Sequence, residues 1–164
     1  MKTPSYRLTN VLGLLACVAA ILFAVLILQG TLNLEPCPLC IVDRVIIMTL
    51  ALVFLVAVVH NPKRLGQRIY AGINLVLVTL GFLVGARHVW LQHLPADQVP
   101  ECGPGLDYML DVFPLSKTLK MVFSGSGECA EIQWQFLGLS IPEQTLLLFL
   151  ALTALVLLQL FRKT

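Results

Sequence analysis

Four long apolar runs constrain this chain more than any other feature. They cover residues 11–28, 41–59, 69–86 and 144–161, and each is close to the ~20 residues that a bilayer-spanning helix needs. None of them alternates apolar and polar residues as the strands of a membrane β-barrel do. The sequence therefore predicts an all-α membrane protein, a four-transmembrane-helix bundle that forms a single domain over residues 1–164.

The composition disfavours the other broad classes. Hydrophobic residues make up 58% of the 164 residues and charged residues only 12%, whereas soluble proteins average about 45–50% and 25%. A chain this small cannot bury so much apolar surface in water, which argues against a soluble enzyme or a disordered chain. The net charge of +2 argues against a nucleic-acid binder.

The charges orient the predicted bundle. One side receives seven of the eleven basic residues and none of the nine acidic ones. By the positive-inside rule, both termini and the 61–68 loop are expected in the cytoplasm. Two segments then face outward, a short one over 29–40 and a long one over 87–143. The seven basic residues are Lys2, Arg7, Lys63, Arg64, Arg68, Arg162 and Lys163.

The first apolar run resembles a removable signal, because Leu14–Cys17 is similar to a lipoprotein cleavage box. A signal peptide carries its apolar region before the cleavage site, whereas most of this run follows Cys17. We therefore expect no cleavage, and Cys17 is interpreted as a small buried apolar residue.

Four of the five cysteines fall on the predicted outward face: Cys37, Cys40, Cys102 and Cys129. Disulfides persist outside the cytosol, so the set indicates two bridges or redox-active pairs, and three pairings remain open. A structural zinc site usually repeats a close-spaced cysteine pair twice, but 26 residues separate Cys102 from Cys129. We therefore predict no metal site.

The motif Cys37-Pro38-Leu39-Cys40 favours redox chemistry over a structural bridge, because it closes too small a loop to restrict the unfolded chain. Cys40 lies at the predicted start of the second helix, where free amides favour a thiolate. Arg44 follows one turn later on the same face and adds a cation. The alternatives for Arg44 are snorkelling to lipid head groups or pairing with Asp43. His88 lies in the same boundary layer.

The long outward segment has three parts. Proline and glycine around Cys102 predict an extended mobile loop over 94–106. The mixture of apolar and charged residues over 107–123 predicts a short amphipathic helix on the membrane surface, with packing against the bundle as the alternative. The Ser-Gly repeat over 124–127 predicts a flexible turn just before Cys129.

Together these residues resemble the DsbB family of bacterial disulfide-bond formation proteins. The resemblance rests on residues 36–44, 88–95, 124–131 and 133–139 and extends over nearly the whole chain. It implies a multi-pass inner-membrane protein dithiol:quinone oxidoreductase. Such an enzyme reoxidises a periplasmic DsbA-type dithiol oxidase and passes the electrons to a membrane quinone, ubiquinone or alternatively menaquinone.

The resemblance also implies residue roles. Cys102 forms the mixed disulfide with the DsbA-type partner, and Cys129 is its intramolecular partner. Cys37 then exchanges with the cysteines of the long segment, which leaves Cys40 as the thiolate that faces the quinone. Arg44 matches the family's quinone-site arginine, and His88 falls where a quinone-proximal histidine is expected.

Two other interpretations of the function compete with a DsbB-type oxidoreductase. A four-helix thiol–quinone protein of the vitamin K epoxide reductase type carries its Cys-x-x-Cys motif in a late span, whereas here the motif precedes the second span. A non-catalytic disulfide-stapled scaffold or transporter subunit predicts that Cys37–Cys40 is inert. Transport has weak support, because no predicted span has a charged residue near its midpoint.

Overall fold

The structure is a computed structural model that describes residues 5–95, 97–100, 103 and 106–162, without the side chains of residues 106 and 107. Cys102 lies outside the described residues, as does part of the loop predicted over 94–106.

Four long helices form the body of the molecule, and each is long and apolar enough to cross a membrane. The first consists of α1 (Tyr6–Leu22) and a directly following π-helical segment (Phe23–Thr31), called the π segment below. The others are α2 (Pro38–His60), α3 (Arg64–Gln92) and, at the end of the chain, α7 (Ile141–Leu160). The predicted four-helix membrane fold is confirmed.

The helices extend beyond the apolar runs because polar residues cap their ends. The Ser5 side chain accepts a hydrogen bond from the Leu8 amide (3.2 Å) and starts α1. Cys37 caps α2, and Pro38 occupies its first turn, where a missing N–H costs nothing. Asn61 ends α2 in the left-handed conformation (φ 40°).

The bundle is held together by contacts of α1 with α2, of α2 with α3 and, most extensively, of α3 with α7. Its core contains Cys17, Ile47, Leu50, Phe54, Val78, Phe149, Leu152 and Val156. Many large apolar side chains point outward instead, among them Leu15, Leu52 and Leu83. A helix that is apolar on all sides is typical of a membrane span, because lipid replaces water as its solvent.

The long connection between α3 and α7 folds into short elements. They are α4 (Leu106–Val112), α5 (Leu115–Ser124), α6 (Gly127–Ala130) and the paired strands β1 (Gln135–Phe136) and β2 (Leu139–Ser140). The helix predicted over 107–123 is thus divided in two. Pro114 precedes α5 and has no amide hydrogen with which to continue a helix from α4. On α5, the apolar side chains of Leu115, Leu119 and Phe123 are exposed.

Two turns in this connection require left-handed backbone. Leu137 (φ 53°) and Gly138 (φ 80°) join β1 to β2, as in the two-residue turns that suit the twist of a hairpin. Gly125 (φ 83°) ends α5, and a side chain there would collide with Leu91 of α3. This close approach brings the following helix, α6, against α3.

Candidate active site

The Cys-x-x-Cys motif forms the first turn of α2. Cys37 is the N-cap, and its Sγ accepts a hydrogen bond from the backbone N–H of Cys40 at 3.4 Å. The two sulfur atoms are 3.1 Å apart. Cys37 is buried and Cys40 is half-buried. The free amides of this first turn favour negative charge on sulfur.

Cys129 of α6 lies against this turn. The Sγ atoms of Cys37 and Cys129 and a ring nitrogen of His88 all lie within 4.8 Å of one another. His88 of α3 places Nε2 at 3.6 Å from Cys37 Sγ, and Ser126 places Oγ at 3.7 Å from Cys129 Sγ. The fold therefore unites cysteines from the two connections that the sequence predicted to face outward.

Hydrogen bonds shift the pKa values of the Cys37 and Cys129 thiols in opposite directions. The Cys37 thiol donates toward the Cys129 sulfur, which lowers the pKa of Cys129 to about 6. The Ser126 backbone and side chain lower the Cys129 pKa further, whereas burial opposes them. Hydrogen bonds to Cys129 and Cys40, together with burial, raise the pKa of Cys37. When both are reduced, Cys129 therefore ionises more readily than Cys37, which keeps its proton.

An apolar cavity of about 370 Å³ lies beside Cys40. Its walls come from α1, the π segment, α2, α3, α7 and the chain just before β1. Cys40, Arg44 and His88 all line it, so the structure brings these three predicted site residues to one cavity. The volume falls within the roughly 300–1,000 Å³ of small-molecule pockets, and the few polar groups in apolar walls are typical of such sites.

Arg44 is oriented by the π segment. Its Nη1 donates a 2.6 Å hydrogen bond to Gln29 Oε1. The neighbouring Asp43 is buried, and its Oδ1 has no hydrogen-bond partner among the described residues. Asp43 also lines the cavity, so a carboxyl group and a guanidinium group lie on its wall.

The sequence analysis missed two residues of this site: Gln29, the hydrogen-bond partner of Arg44, and Trp134, in the cavity wall. Gln29 follows the first apolar run directly, a weak signal shared by many helix ends. Trp134 lines the cavity, lies 5.9 Å from the Phe23 ring and stacks on Phe136 with its ring plane inclined by 7°. It entered the sequence analysis only within a stretch of family resemblance, because its neighbours come from elements distant in the chain.

Comparisons with known proteins place the chain in a family. The family model described as "Disulfide bond formation protein DsbB" matches residues 6–159. A Disulfide bond formation protein B from Nitrosococcus oceani is 58% identical over 130 residues, covering 79% of this chain and 77% of its own length.

Two further relatives of the same name match almost end to end. The protein from a Psychrobacter species is 52% identical, covering 96% of this chain and 93% of its own length. The one from Methylococcus capsulatus is 51% identical, covering 97% and 96%. Cys37, Cys40 and Cys129, called the thiol cluster below, lie beside an apolar cavity. With this cluster and four membrane-spanning helices, the chain belongs to the DsbB family of disulfide bond formation proteins.

Proposed function

We propose that Cys129, Cys37 and Cys40 form the thiol relay of a DsbB reaction in this chain. As a DsbB protein it is a disulfide-generating dithiol:quinone oxidoreductase of the inner membrane, which reoxidises a DsbA-type dithiol oxidase and passes the electrons to a quinone. The observation that carries the proposed relay is the approach of Cys129 Sγ to Cys37 Sγ, within 4.8 Å.

The relay proceeds by thiol–disulfide exchange, in which a thiolate attacks one sulfur of a disulfide and displaces the other. A thiolate of the DsbA-type partner attacks Cys102 of a Cys102–Cys129 disulfide and releases Cys129. The Cys129 thiolate attacks Cys37 of a Cys37–Cys40 disulfide and releases Cys40. Hydrogen bonds from the Ser126 backbone and side chain and from the Leu39 backbone do not need a Cys37 thiol, and they favour the Cys129 thiolate in this step, which suits both its release and its attack.

The cycle closes when the partner's second thiolate displaces Cys102 from the mixed disulfide. Cys102 then displaces Cys37 from Cys129, which restores the Cys102–Cys129 disulfide. Two electrons have moved from the partner's dithiol to Cys37 and Cys40. A quinone held beside Cys40 would supply the acceptance of two electrons and two protons that no side chain offers, and the Cys37–Cys40 disulfide would re-form.

The cavity beside Cys40 fits a quinone head group. Its apolar walls match a lipid-soluble ring, and Arg44 offers a charged hydrogen-bond donor for a carbonyl oxygen. The Arg44 guanidinium also favours the Cys40 thiolate, while His88 provides a ring nitrogen that can hold a proton near Cys37. We propose ubiquinone as the physiological acceptor, with menaquinone as the alternative.

The orientation in the membrane is part of the proposal. The thiol cluster and the connections before α2 and before α7 face the periplasm, and both termini lie in the cytoplasm. The concentration of basic residues at the opposite ends of the helices supports this arrangement. A periplasmic thiol cluster is required for contact with a periplasmic partner.

The test follows quinone absorbance and partner oxidation together, using purified full-length protein in detergent with a reduced DsbA-type protein. We expect one quinone reduced for each partner dithiol oxidised, no turnover for Cys40→Ser, and unchanged turnover for the matched control Cys17→Ser, whose thiol lies in the bundle core. Parallel runs with ubiquinone and menaquinone rank the two acceptors.

Two outcomes would overturn the proposal. Folded protein that oxidises no partner would favour the scaffold reading, in which Cys37–Cys40 is inert. Full turnover of Cys40→Ser would remove Cys40 from the electron path.

A further inference from the structure

The thiol cluster also has the composition of a site for a soft metal ion. Cys37 Sγ, Cys129 Sγ and a His88 ring nitrogen lie within 4.8 Å of one another. Cys40 Sγ, at 3.1 Å from Cys37 Sγ, is available as a fourth ligand. In a tetrahedral zinc site with Zn–S near 2.3 Å and Zn–N near 2.0–2.1 Å, neighbouring ligand atoms are roughly 3.5–3.8 Å apart. The 3.6 Å between His88 Nε2 and Cys37 Sγ already has this spacing.

A small cavity borders part of this ligand set, although Cys129 is not among its lining residues. Its volume is about 20 Å³, and Cys37, Cys40 and His88 are among the residues that line it. Space of this size holds about one water molecule and therefore one ion. Two acidic residues, Glu128 and Glu131, also line it and are exposed. Their carboxylates attract a cation toward the sulfur atoms.

We infer that the reduced protein binds one thiophilic divalent cation of the Zn²⁺ class through Cys37, Cys129 and His88, with Cys40 or water as the fourth ligand. The ion displaces the thiol protons of Cys37 and Cys129, which pass to solvent, and no electron is transferred. A disulfide sulfur is a poor ligand for such an ion, so the site exists only in the reduced protein. Bound metal blocks the two thiols until it is removed.

The spacing of the cysteines could not reveal that His88 belongs to the ligand set. The sequence predicted no metal because the four outward cysteines lack the spacing of a structural zinc site. The tertiary structure replaces the missing close pair with one cysteine from each connection and an imidazole from α3. The resulting Cys₂His set, with one open position, resembles the ligand sets of catalytic rather than structural zinc sites.

The test uses Co²⁺ as an optical probe, titrated into full-length, tag-free, fully reduced protein in detergent without oxygen or quinone. We expect one equivalent to give thiolate-to-cobalt charge-transfer bands and the visible bands of tetrahedral Co²⁺, both abolished by one equivalent of Zn²⁺. Cys129→Ser and His88→Gln should each weaken Co²⁺ binding by at least ~10-fold, since even outer-shell changes cost about 10–100-fold. Cys17→Ser, the matched control, should bind as the parent does.

A second measurement does not depend on cobalt spectra. Zn²⁺ should protect Cys37 and Cys129 of the reduced parent from alkylation, read residue by residue by mass spectrometry, and chelation should reverse the protection. The inference is overturned if the oxidised protein binds Co²⁺ equally well, or if Cys129→Ser keeps both the tetrahedral spectrum and the affinity. It is also overturned if reduced protein with all five thiols titratable gives no tetrahedral spectrum.

Discussion

At the scale of single residues, hydrogen bonds distinguish otherwise identical thiols. Cys37 lies between Cys40 and Cys129, and its single S–H can be donated to either sulfur atom, whereas Cys129 accepts from Cys37 and from Ser126. A cysteine thiol therefore keeps its proton at position 37 and ionises readily at position 129. Thiolate reactivity depends on this difference.

The lowered pKa of Cys129 predicts a pH dependence. Because its pKa in the folded protein is about 6, alkylation of reduced Cys129 should be near its plateau above that pH and decline as the pH falls through 6. Cys37→Ala removes the main donor, so the midpoint should rise toward the ordinary thiol value of about 8.5. Alkylation rates read at Cys129 by mass spectrometry measure both midpoints. Equal midpoints in parent and variant would contradict the role of Cys37.

Arg44 should affect the quinone reaction more than the thiol exchange. Hydrogen bonds to charged groups contribute about 1.5–3 kcal/mol, so Arg44→Ala should weaken quinone-dependent turnover by roughly 10–100-fold. Gln29→Ala should have a smaller effect, because Arg44 keeps its charge and loses only its 2.6 Å partner. The measurement compares the quinone KM with a quinone-free single turnover of partner exchange. An equal loss in the quinone-free reaction would contradict this assignment.

At the scale of elements, close helix packing depends on particular glycines. Gly81 of α3 lies directly beneath the ring of Phe149 of α7, and Gly13 of α1 lies beneath Phe54 of α2, where an added Cβ would be 2.7 Å from the ring. Small residues at such crossings let helix backbones approach, which is how helices associate in lipid. Gly72, also on α3, has no such neighbour within 4 Å.

Two substitutions on one helix separate packing from helix propensity. Gly81→Ala should destabilise the bundle by about 1–3 kcal/mol, because the new methyl group collides with Phe149. Gly72→Ala should be neutral or stabilising by up to about 1 kcal/mol, because alanine favours a helix and the site is open. Denaturant unfolding in detergent micelles measures both changes. The same change in stability for both variants would show that Phe149 does not control this crossing.

The first spanning helix shows how backbone geometry serves the site. The π segment replaces α-helical geometry over Phe23–Thr31, just where the helix borders the cavity. Its wider turn places Gln29 against Arg44. π-helical turns are rare and often lie at functional sites, which agrees with the use of this one to orient a cation.

At the scale of the whole molecule, the bundle and its connections act together. The four long helices form most of the wall of the apolar cavity, and the long connection adds Trp134 to it and returns to α3 to place Cys129 over the start of α2. The bundle alone would lack Cys129, and the long connection alone would lack Cys37, Cys40 and most of the cavity wall. The proposed enzyme therefore depends on the packing of α6 against the bundle.

The proposed topology can be measured with reporter fusions. A reporter that is active only in the periplasm should be inactive when fused after residue 164 and active when inserted in the connection between α3 and α7. A cytoplasmic fluorescent reporter at the same two sites should give the reverse pattern, because basic flanks are retained in the cytoplasm. Periplasmic activity of the C-terminal fusion would invert the topology.

The partner reaction predicts an intermolecular disulfide. Removing Cys129 leaves Cys102 without the thiol that would displace the partner, so Cys129→Ser should accumulate a mixed disulfide through Cys102. Non-reducing electrophoresis followed by peptide mapping identifies the sulfur atoms involved. The added variant Cys102→Ser should abolish the species, and a trapped bond at Cys37 would overturn the role of Cys102.

The sequence by itself determined the fold class, because a bilayer-spanning helix requires a long apolar run and that signal is local. It also indicated the Cys-x-x-Cys motif and Arg44, since residues one turn apart share a helix face. A proline can divide a predicted helix, and Pro114 carried that local signal, although the amphipathic pattern of 107–123 obscured it.

Only the tertiary structure decided which distant groups meet. Cys129 approaches Cys37 and His88 because α6 packs against α3, and Gln29 reaches Arg44 because α1, which leads into the π segment, packs along α2. These contacts join residues separated by many positions in the chain, and their geometry depends on side-chain packing across several helices. Hydrophobic periodicity and motif spacing describe neighbours along one element, so they contain no information about contacts between distant elements.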